Sequence, residues 1–180
     1  MSRRLRRGAP LLLLLLLALP RVGYAADDIF VLIDGIQGDA TDSGHPQWIQ
    51  AYALGNSVTA TRSPVGQRTG TEFSDLSVLK KIDRASPALF LSAARALAFR
   101  TVKIDFVRPG ATRFVYFKME LREAQITGVR TNANLADDSI TEFVTLSYVE
   151  IAWEYIPQNS DGSAGVSVKG CWNRAESTSC

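Results

Sequence analysis

The stretch from Val31 to Gln50 reads VLIDGIQGDATDSGHPQWIQ and decides what fold to expect. A short apolar segment runs into a turn rich in glycine and aspartate, and an aromatic segment opens after Pro46. Asp34, Asp39 and Asp42 are not spaced at the alternate positions of a calcium-binding loop, and aspartate is a common turn former. The sequence therefore predicts two β-strands joined by a polar turn.

The only histidine, His45, lies in this turn immediately before Pro46. Any mechanism with a histidine base would have to use it, but no Gly-x-Ser-x-Gly nucleophile elbow accompanies it. We therefore predict a surface turn histidine, and a small hydrolase working through His45 stays a third-ranked alternative. Glu120 and Glu123 would face opposite sides of a strand and cannot form a paired acid and base. The sequence predicts no catalytic, cofactor-binding or metal-binding residue.

Alternation of apolar and polar side chains predicts most of the strands. The apolar positions are Val102, Ile104 and Phe106, then Val115, Phe117, Met119 and Leu121, and last Val149, Ile151, Trp153 and Tyr155 of an expected single strand over 144–156. Parallel strands covered by helices on both faces would instead show continuous apolar runs. The sheet is therefore expected to be antiparallel. Trp48, Trp153 and Trp172 are expected in the core, and a subunit boundary is the alternative for Trp48 and Trp172.

One segment has the features of a helix. Ser86 is a suitable N-cap and Pro87 suits the first helical position. The apolar face would consist of Leu89, Phe90, Ala93, Ala94 and Leu97, in a helix ending near Ala98. Many strands and one helix predict a mainly β fold, a single antiparallel β-barrel or sandwich with one α-helix packed against it.

Two segments are expected to be irregular. The stretch from Val58 to Gly70 is rich in Gly, Pro, Thr and Arg and has no apolar period, which predicts a long exposed loop. Loops of this length in compact domains are often functional. A second turn is expected at Leu135–Ser139, with Asp137 and Asp138 inside it.

The N-terminus has the features of a secretory signal peptide. Four arginines precede the apolar run Leu11–Leu19, and Pro20 and small residues follow it. Residues 1–26 are expected to be the leader, with cleavage after Ala25 or Ala26. The apolar run is about nine residues, much shorter than a membrane-spanning helix, so a retained anchor and stable membrane insertion are not expected. A twin-arginine export signal or a mis-assigned start codon would also account for this segment.

Removal of the leader changes the charge of the chain. It takes away five arginines and no acid, so 15 basic and 18 acidic residues remain and the formal charge falls from +2 to −3. No basic stripe remains to bind nucleic acid. The mature length suits one domain, expected over residues 27–172, with a C-terminal tail at 173–180.

Both cysteines lie near the C-terminus. In an exported protein, Cys171 and Cys180 could form a disulfide that closes a short loop, and the alternative is two free thiols on a mobile tail. The chain-entropy model gives such a bond roughly 2.5 to 3 kcal/mol of stabilisation. A metal site at these cysteines is not expected, because the chain has no further cysteine and its histidine is remote in sequence.

The ordered series of segments resembles the haemolysin-coregulated protein family, Hcp, the tube subunit of type VI secretion. The segments that carry the resemblance are Val31–Gln50, Leu76–Pro87, Ala88–Leu97, Thr141–Pro157 and Asp161–Trp172. The resemblance implies a β-barrel that forms hexameric rings, stacks into a tube, carries effectors and has no catalytic activity. The implied partners are copies of the chain itself and the spike, sheath or effector proteins of the secretion system.

The resemblance also implies roles for particular residues. The loop that reaches toward the neighbouring ring would contain Arg62, Ser63, Pro64, Gln67 and Arg68. The charged rows with Lys103, Lys118, Glu120, Arg122, Glu150 and Glu154 could face the lumen of a ring or be simply solvated.

Two features depart from the family pattern. Tyr52-Ala53-Leu54-Gly55 stands where the family commonly has Trp-Ser-Trp-Gly, so a cargo contact through that serine is in doubt at Ala53. The leader is the second departure, because type VI tubes assemble in the cytoplasm. Two hypotheses follow: a tube or tube-derived subunit, cytoplasmic before secretion, and an exported paralogue that acts as a periplasmic or extracellular binding or effector-like ring.

Overall fold

Ten β-strands and one helix make up the part of the chain that the computed structural model describes, residues 26–110, 112–134 and 139–180; only the backbone is described for Arg68, Asn134 and Ser139. The elements are β1 Asp28–Ile33, β2 Ile49–Gly55, β3 Val58–Arg62, β4 Arg68–Phe73, β5 Leu76–Lys81, α1 Ser86–Ala94, β6 Ala98–Arg108, β7 Phe114–Asn134, β8 Ser139–Ser147, β9 Glu150–Tyr155 and β10 Val168–Asn173. The predicted leader, apart from Ala26, and positions 135–138 of the predicted second turn lie outside the described residues. Within the described ranges, no helix combines the length and apolar character needed to cross a bilayer.

Six antiparallel strands close into a barrel in the order β7-β6-β1-β2-β5-β8, and β8 pairs back with β7. The long strand β7 makes closure possible because it uses one edge for two partners. Its residues 117–122 pair with β9, and its residues 125–134 pair with β8. Strands β9 and β10 therefore extend the sheet beyond the barrel. The predicted mainly β fold, an antiparallel barrel with one helix, is confirmed.

The main core contains members of each apolar row that the alternation predicts, whereas Tyr155 of the last row is 42% exposed. Val102, Ile104, Leu121 and Ile151 have no exposed surface, and Met119 is 5% exposed. Trp153 and Trp172 pack against this main core, whereas Trp48 packs against a smaller cluster formed by Phe30, Ala40 and Val107. Burial of the apolar rows is the main force that closes the barrel.

The expected single strand over 144–156 is wrong. It is two strands, because the chain leaves β8 after Ser147 and enters β9 at Glu150. In β8 the even positions Val144 and Leu146 point inward, whereas in β9 the odd position Ile151 does so. Tyr148 is still buried in phase with β8, and the parity changes at Val149 and Glu150, two consecutive residues that are not buried.

The predicted helix exists, but its ends and its cap differ from the prediction. Its N-cap is Ala85, without a side-chain hydrogen bond, and Ser86 is its first residue. The helix ends at Ala94, and Ala96 follows in the left-handed region with φ of 50°. This reversal places Leu97 outside the helix, where it is 43% exposed. Leu89 is the helical side chain that reaches the core without exposed surface.

Candidate assembly surfaces

Residues Val58–Phe73 form a hairpin, which we call the arm, where the sequence predicts an irregular loop. Strands β3 and β4 pair antiparallel in a two-stranded sheet that is separate from the barrel. At the tip, the Ser63 amide donates to the Gln67 carbonyl at 2.8 Å, and Gly66 has φ of 84°. The loop prediction failed because threonine-rich strands need no apolar period when both of their faces are exposed.

The arm is exposed along almost its whole length. All five residues of β3 are exposed, and Val65 at the tip is 81% exposed. Arg62, Pro64 and Gln67 are exposed, and Ser63 is half-buried. Arg68 opens β4 opposite Arg62. The structure thus brings the five predicted contact residues together at the end of the arm, and no role follows from this placement alone.

The arm is attached to the body at its root, which comprises residues 56–57 and 73–74. The Phe73 ring, 8% exposed, stacks between Trp153 and Trp172 at centroid distances of 6.2 and 6.1 Å. The Asn56 side chain donates to the Tyr148 hydroxyl at 2.8 Å, and that hydroxyl donates to the Ser74 carbonyl at 3.2 Å. Aromatic stacking and a buried hydroxyl therefore fix the root, whereas the described side chains in the rest of the arm make no comparable contact with the barrel.

The C-terminal segment lies next to the same root. The Arg174 guanidinium donates to the carbonyls of Phe73 and Tyr148 at 3.1 and 3.0 Å, and it stacks over the Tyr148 ring. Burial raises the pKa of the Tyr148 hydroxyl, although the Asn56 hydrogen bond and the Arg174 charge oppose this. The Sγ atoms of Cys171 and Cys180 lie in contact, and their Cα atoms are 5.5 Å apart, within the range of disulfides. Formation of the Cys171–Cys180 disulfide stays a prediction.

The predicted charged rows share one face of the sheet formed by β6, β7, β9 and β10. Cross-strand register aligns Asp105, Lys118, Glu154 and Lys169 in one row of alternating charge. This row and its neighbours line an open concavity of about 470 Å³, which also includes Lys103, Glu120 and Arg122. Ala152 lies in its lining on the same face of β9 as Glu150 and Glu154, where a longer side chain would fill part of it.

Most charges of this face are compensated within the protomer. Arg122 bridges Glu120 at 2.9 Å and Glu150 at 2.7 Å, and these carboxylates raise its pKa. A hydrogen bond from Ser167 lowers the pKa of Glu154, and Lys169 at 3.3 Å acts in the same direction. The face is therefore polar and charge-balanced, unlike the basic surface of a nucleic-acid-binding protein.

The prediction of a surface histidine is wrong, because His45 is 5% exposed. Its Nδ1 lies 2.7 Å from Asp42 and its Nε2 lies 3.0 Å from Asp105, while its ring stacks on Phe30 at 4.4 Å. Each ring nitrogen is hydrogen-bonded to a carboxylate, so neither is free to act as a general base. Asp105 comes from β6, 60 residues away in sequence, and a local turn pattern cannot reveal it.

Several groups act on the carboxylate of Asp42 in this network. Burial alone would raise its pKa, but the hydrogen bond from His45 and the charge of Arg113, 2.6 Å away, outweigh burial and hold it below the ordinary value. The Gly44 amide also donates to it. The polar turn is thus an ordered element that ties the segment after β1 to β6.

A buried ionic cluster, Lys80 with Asp83, Ser86 and Glu142, is absent from the sequence predictions. The Lys80 ammonium lies 2.8 Å from Glu142, 2.7 Å from Asp83 and 3.0 Å from Ser86, and the side chains of Lys80 and Glu142 are each 1% exposed. The Ser86 hydroxyl donates to Glu142 at 2.6 Å. This explains why Ser86 does not cap the helix. The period of β5 contained the signal, because Lys80 is in phase with the inward Leu76 and Val78.

Comparisons with known proteins agree with this architecture. The family model described as type VI secretion system effector, Hcp, matches residues 30–155, more than two thirds of the chain. The protein Hcp1 of Pseudomonas aeruginosa is 28% identical over 154 residues, which span 82% of this chain and 95% of that relative.

Two solved structures share the fold. One, described as a type six secretion system protein, superposes with a TM-score of 0.81 at 22% identity and covers 86% of this chain and 100% of its own. Hcp1 from Salmonella typhimurium superposes with a TM-score of 0.72 at 22% identity and covers 87% of this chain and 100% of its own. With its closed barrel and its match to the family model, the chain belongs to the Hcp family of the type VI secretion system.

Proposed function

We propose that this chain is a non-enzymatic ring subunit that assembles into hexamers, and that its arm contacts a second copy of the chain in the adjacent ring of a type VI secretion tube. Family membership supports self-assembly in rings. The observation that carries the arm contact is the lack of packing of the arm itself. The ring would be the vehicle for effectors and would meet spike and sheath proteins at its ends.

Physical stability argues for a partner of the arm. A two-stranded hairpin is marginally stable in water unless it packs against something. Beyond the root, neither β3 nor β4 packs broadly against another described strand or the helix. Val58 and Val65 are 58% and 81% exposed on it. A copy of the chain in the next ring would cover these apolar side chains and pair with the arginines at the tip.

Replacing Val65 with aspartate should raise the protein concentration required for ring stacking at least about tenfold, because it buries a charge in the contact. Single rings should keep the mass of six mature chains in native mass spectrometry, and stacks are followed by sedimentation velocity. Val166→Asp is the matched control, since Val166 is 89% exposed in another loop. Equal stacking by both variants would contradict the proposed contact through the arm. A strictly monomeric mature protein would contradict assembly into rings.

A second candidate function is an exported Hcp-like ring that acts in the periplasm or outside the cell. The leader in residues 1–26 and the proximity of the two cysteines favour it, since disulfides persist in oxidising compartments. In this case the rings would bind partners without joining a cytoplasmic tube.

N-terminal sequencing of the protein from each cell fraction separates the two candidates. Export predicts a chain that begins at Ala26 or Asp27 in the periplasm or medium. A cytoplasmic protein that retains its arginine-rich leader would contradict export, whereas a processed periplasmic form would contradict assembly of the tube in the cytoplasm.

A further inference from the structure

The C-terminal segment makes a set of contacts that barrel closure does not require. After β10, the backbone amide of Arg174 donates to the Val149 carbonyl at 2.8 Å, and the Arg174 guanidinium reaches the carbonyls of Phe73 and Tyr148. One side chain thus joins the last residue of the arm to the break between β8 and β9. Arginine suits this position because its planar fork donates in several directions at once.

The residues that follow have few contacts of their own. Residues 175–180 are exposed, and their described backbone ties are the paired hydrogen bonds between Asn173 and Thr178, at 2.8 and 3.3 Å, and a bond from the Glu176 amide to the Asn173 side chain. Thr178 covers the free edge of β10 at Asn173, the residue before Arg174. Without a covalent link this exposed segment would fray, since termini without burial are poorly ordered.

We propose that Cys171–Cys180 is a redox clasp: formation of the disulfide fixes the tail on β10, holds Arg174 on the arm root and so orders the arm. Opening the bond would release the tail and loosen the arm while the barrel stays folded. The clasp itself concerns only the protomer. Its consequence for ring stacking rests on the proposed function of the arm.

Thiol–disulfide exchange supplies a balanced chemical step. One cysteine thiolate attacks a donor disulfide and forms a mixed disulfide, and the second cysteine displaces the donor sulfur. The two cysteines lose two electrons and two protons, and the donor leaves as two thiols. A dithiol reductant reverses the reaction. The chain has only two cysteines, so a reductant acts at this one place.

Hydrogen exchange measured by mass spectrometry tests the clasp on the mature full-length chain. A Val65→Asp background keeps the arm free of contacts between rings. Reduction with dithiothreitol should accelerate amide exchange in peptides from residues 56–74 about tenfold or more, and peptides from β6 should not change. In the double variant Cys171→Ser/Cys180→Ser, the arm should exchange as fast as in the reduced protein, and dithiothreitol should not change the rate.

A second variant tests the role of Arg174 with the disulfide intact. Arg174→Lys keeps the charge but cannot hold both carbonyls, so the arm should exchange fast even in oxidised protein, and Arg95→Lys, at an exposed arginine, is the control. Equal arm exchange in oxidised and reduced protein, or in Arg174→Lys and Arg95→Lys, would overturn the clasp. Failure of the rings to form would sink the proposed function and leave this exchange result unaffected.

Discussion

Replacing Lys80 with methionine is expected to lower the free energy of unfolding by about 3 to 5 kcal/mol, because it leaves the Glu142 carboxylate buried without its cation. The side chains of both residues are 1% exposed, so water cannot replace the lost partner. Methionine has a similar length and largely avoids a cavity. Urea denaturation at neutral pH, followed by tryptophan fluorescence, measures the change.

Two further variants make this result specific. Lys81→Met is the matched control, since Lys81 is the exposed neighbour on the opposite face of β5 and should cost less than about 1 kcal/mol. The double variant Lys80→Met/Glu142→Leu removes both charges and should recover most of the loss, as buried ion pairs replaced by apolar residues often do. A Lys80→Met protein as stable as Lys81→Met would show that the pair contributes nothing.

The barrel could be predicted because its strands alternate, and alternation is a local property of sequence. Lys80 and Glu142 follow the same alternation on β5 and β8, each in phase with inward apolar residues. Their burial could therefore have been predicted from the sequence. The pairing of Lys80 with Glu142 could not be predicted in this way, because it depends on the register between strands at positions 62 residues apart. A strand period gives the facing of a side chain, whereas the partner comes from closure of the sheet.

The arm and the parity change after Tyr148 show where local reasoning ends. The arm has no inward face, so it lacks the apolar signal by which its neighbours are recognised. Tyr148 is buried because the arm root and Arg174 meet over it, and both come from distant parts of the chain. The predicted contact residues at the arm tip could be named from the family resemblance alone.

The buried histidine supplies the second large effect. His45→Ala should cost about 3 to 4 kcal/mol, because it removes charge-assisted hydrogen bonds to two largely buried carboxylates and the stacking partner of Phe30. His45→Gln, which can satisfy only part of this network, should fall between the wild type and the alanine variant. A loss below about 1 kcal/mol for the alanine variant would show that the carboxylates are solvated without the ring.

The same variants should differ in their response to acid. The Asp42 carboxyl has a folded pKa below its ordinary value of 3.8, so its contribution to stability is present above that pH and is lost as the pH falls through the lower folded pKa. His45 is among the groups that lower this pKa, so His45→Gln should start less stable at neutral pH and lose less on acidification below about pH 4. Urea titrations at neutral pH and at about pH 3 compare the two proteins. Equal losses of unfolding free energy in both proteins would mean that the His45 imidazole does not lower the pKa of Asp42. The network would then be a packing contact without electrostatic effect.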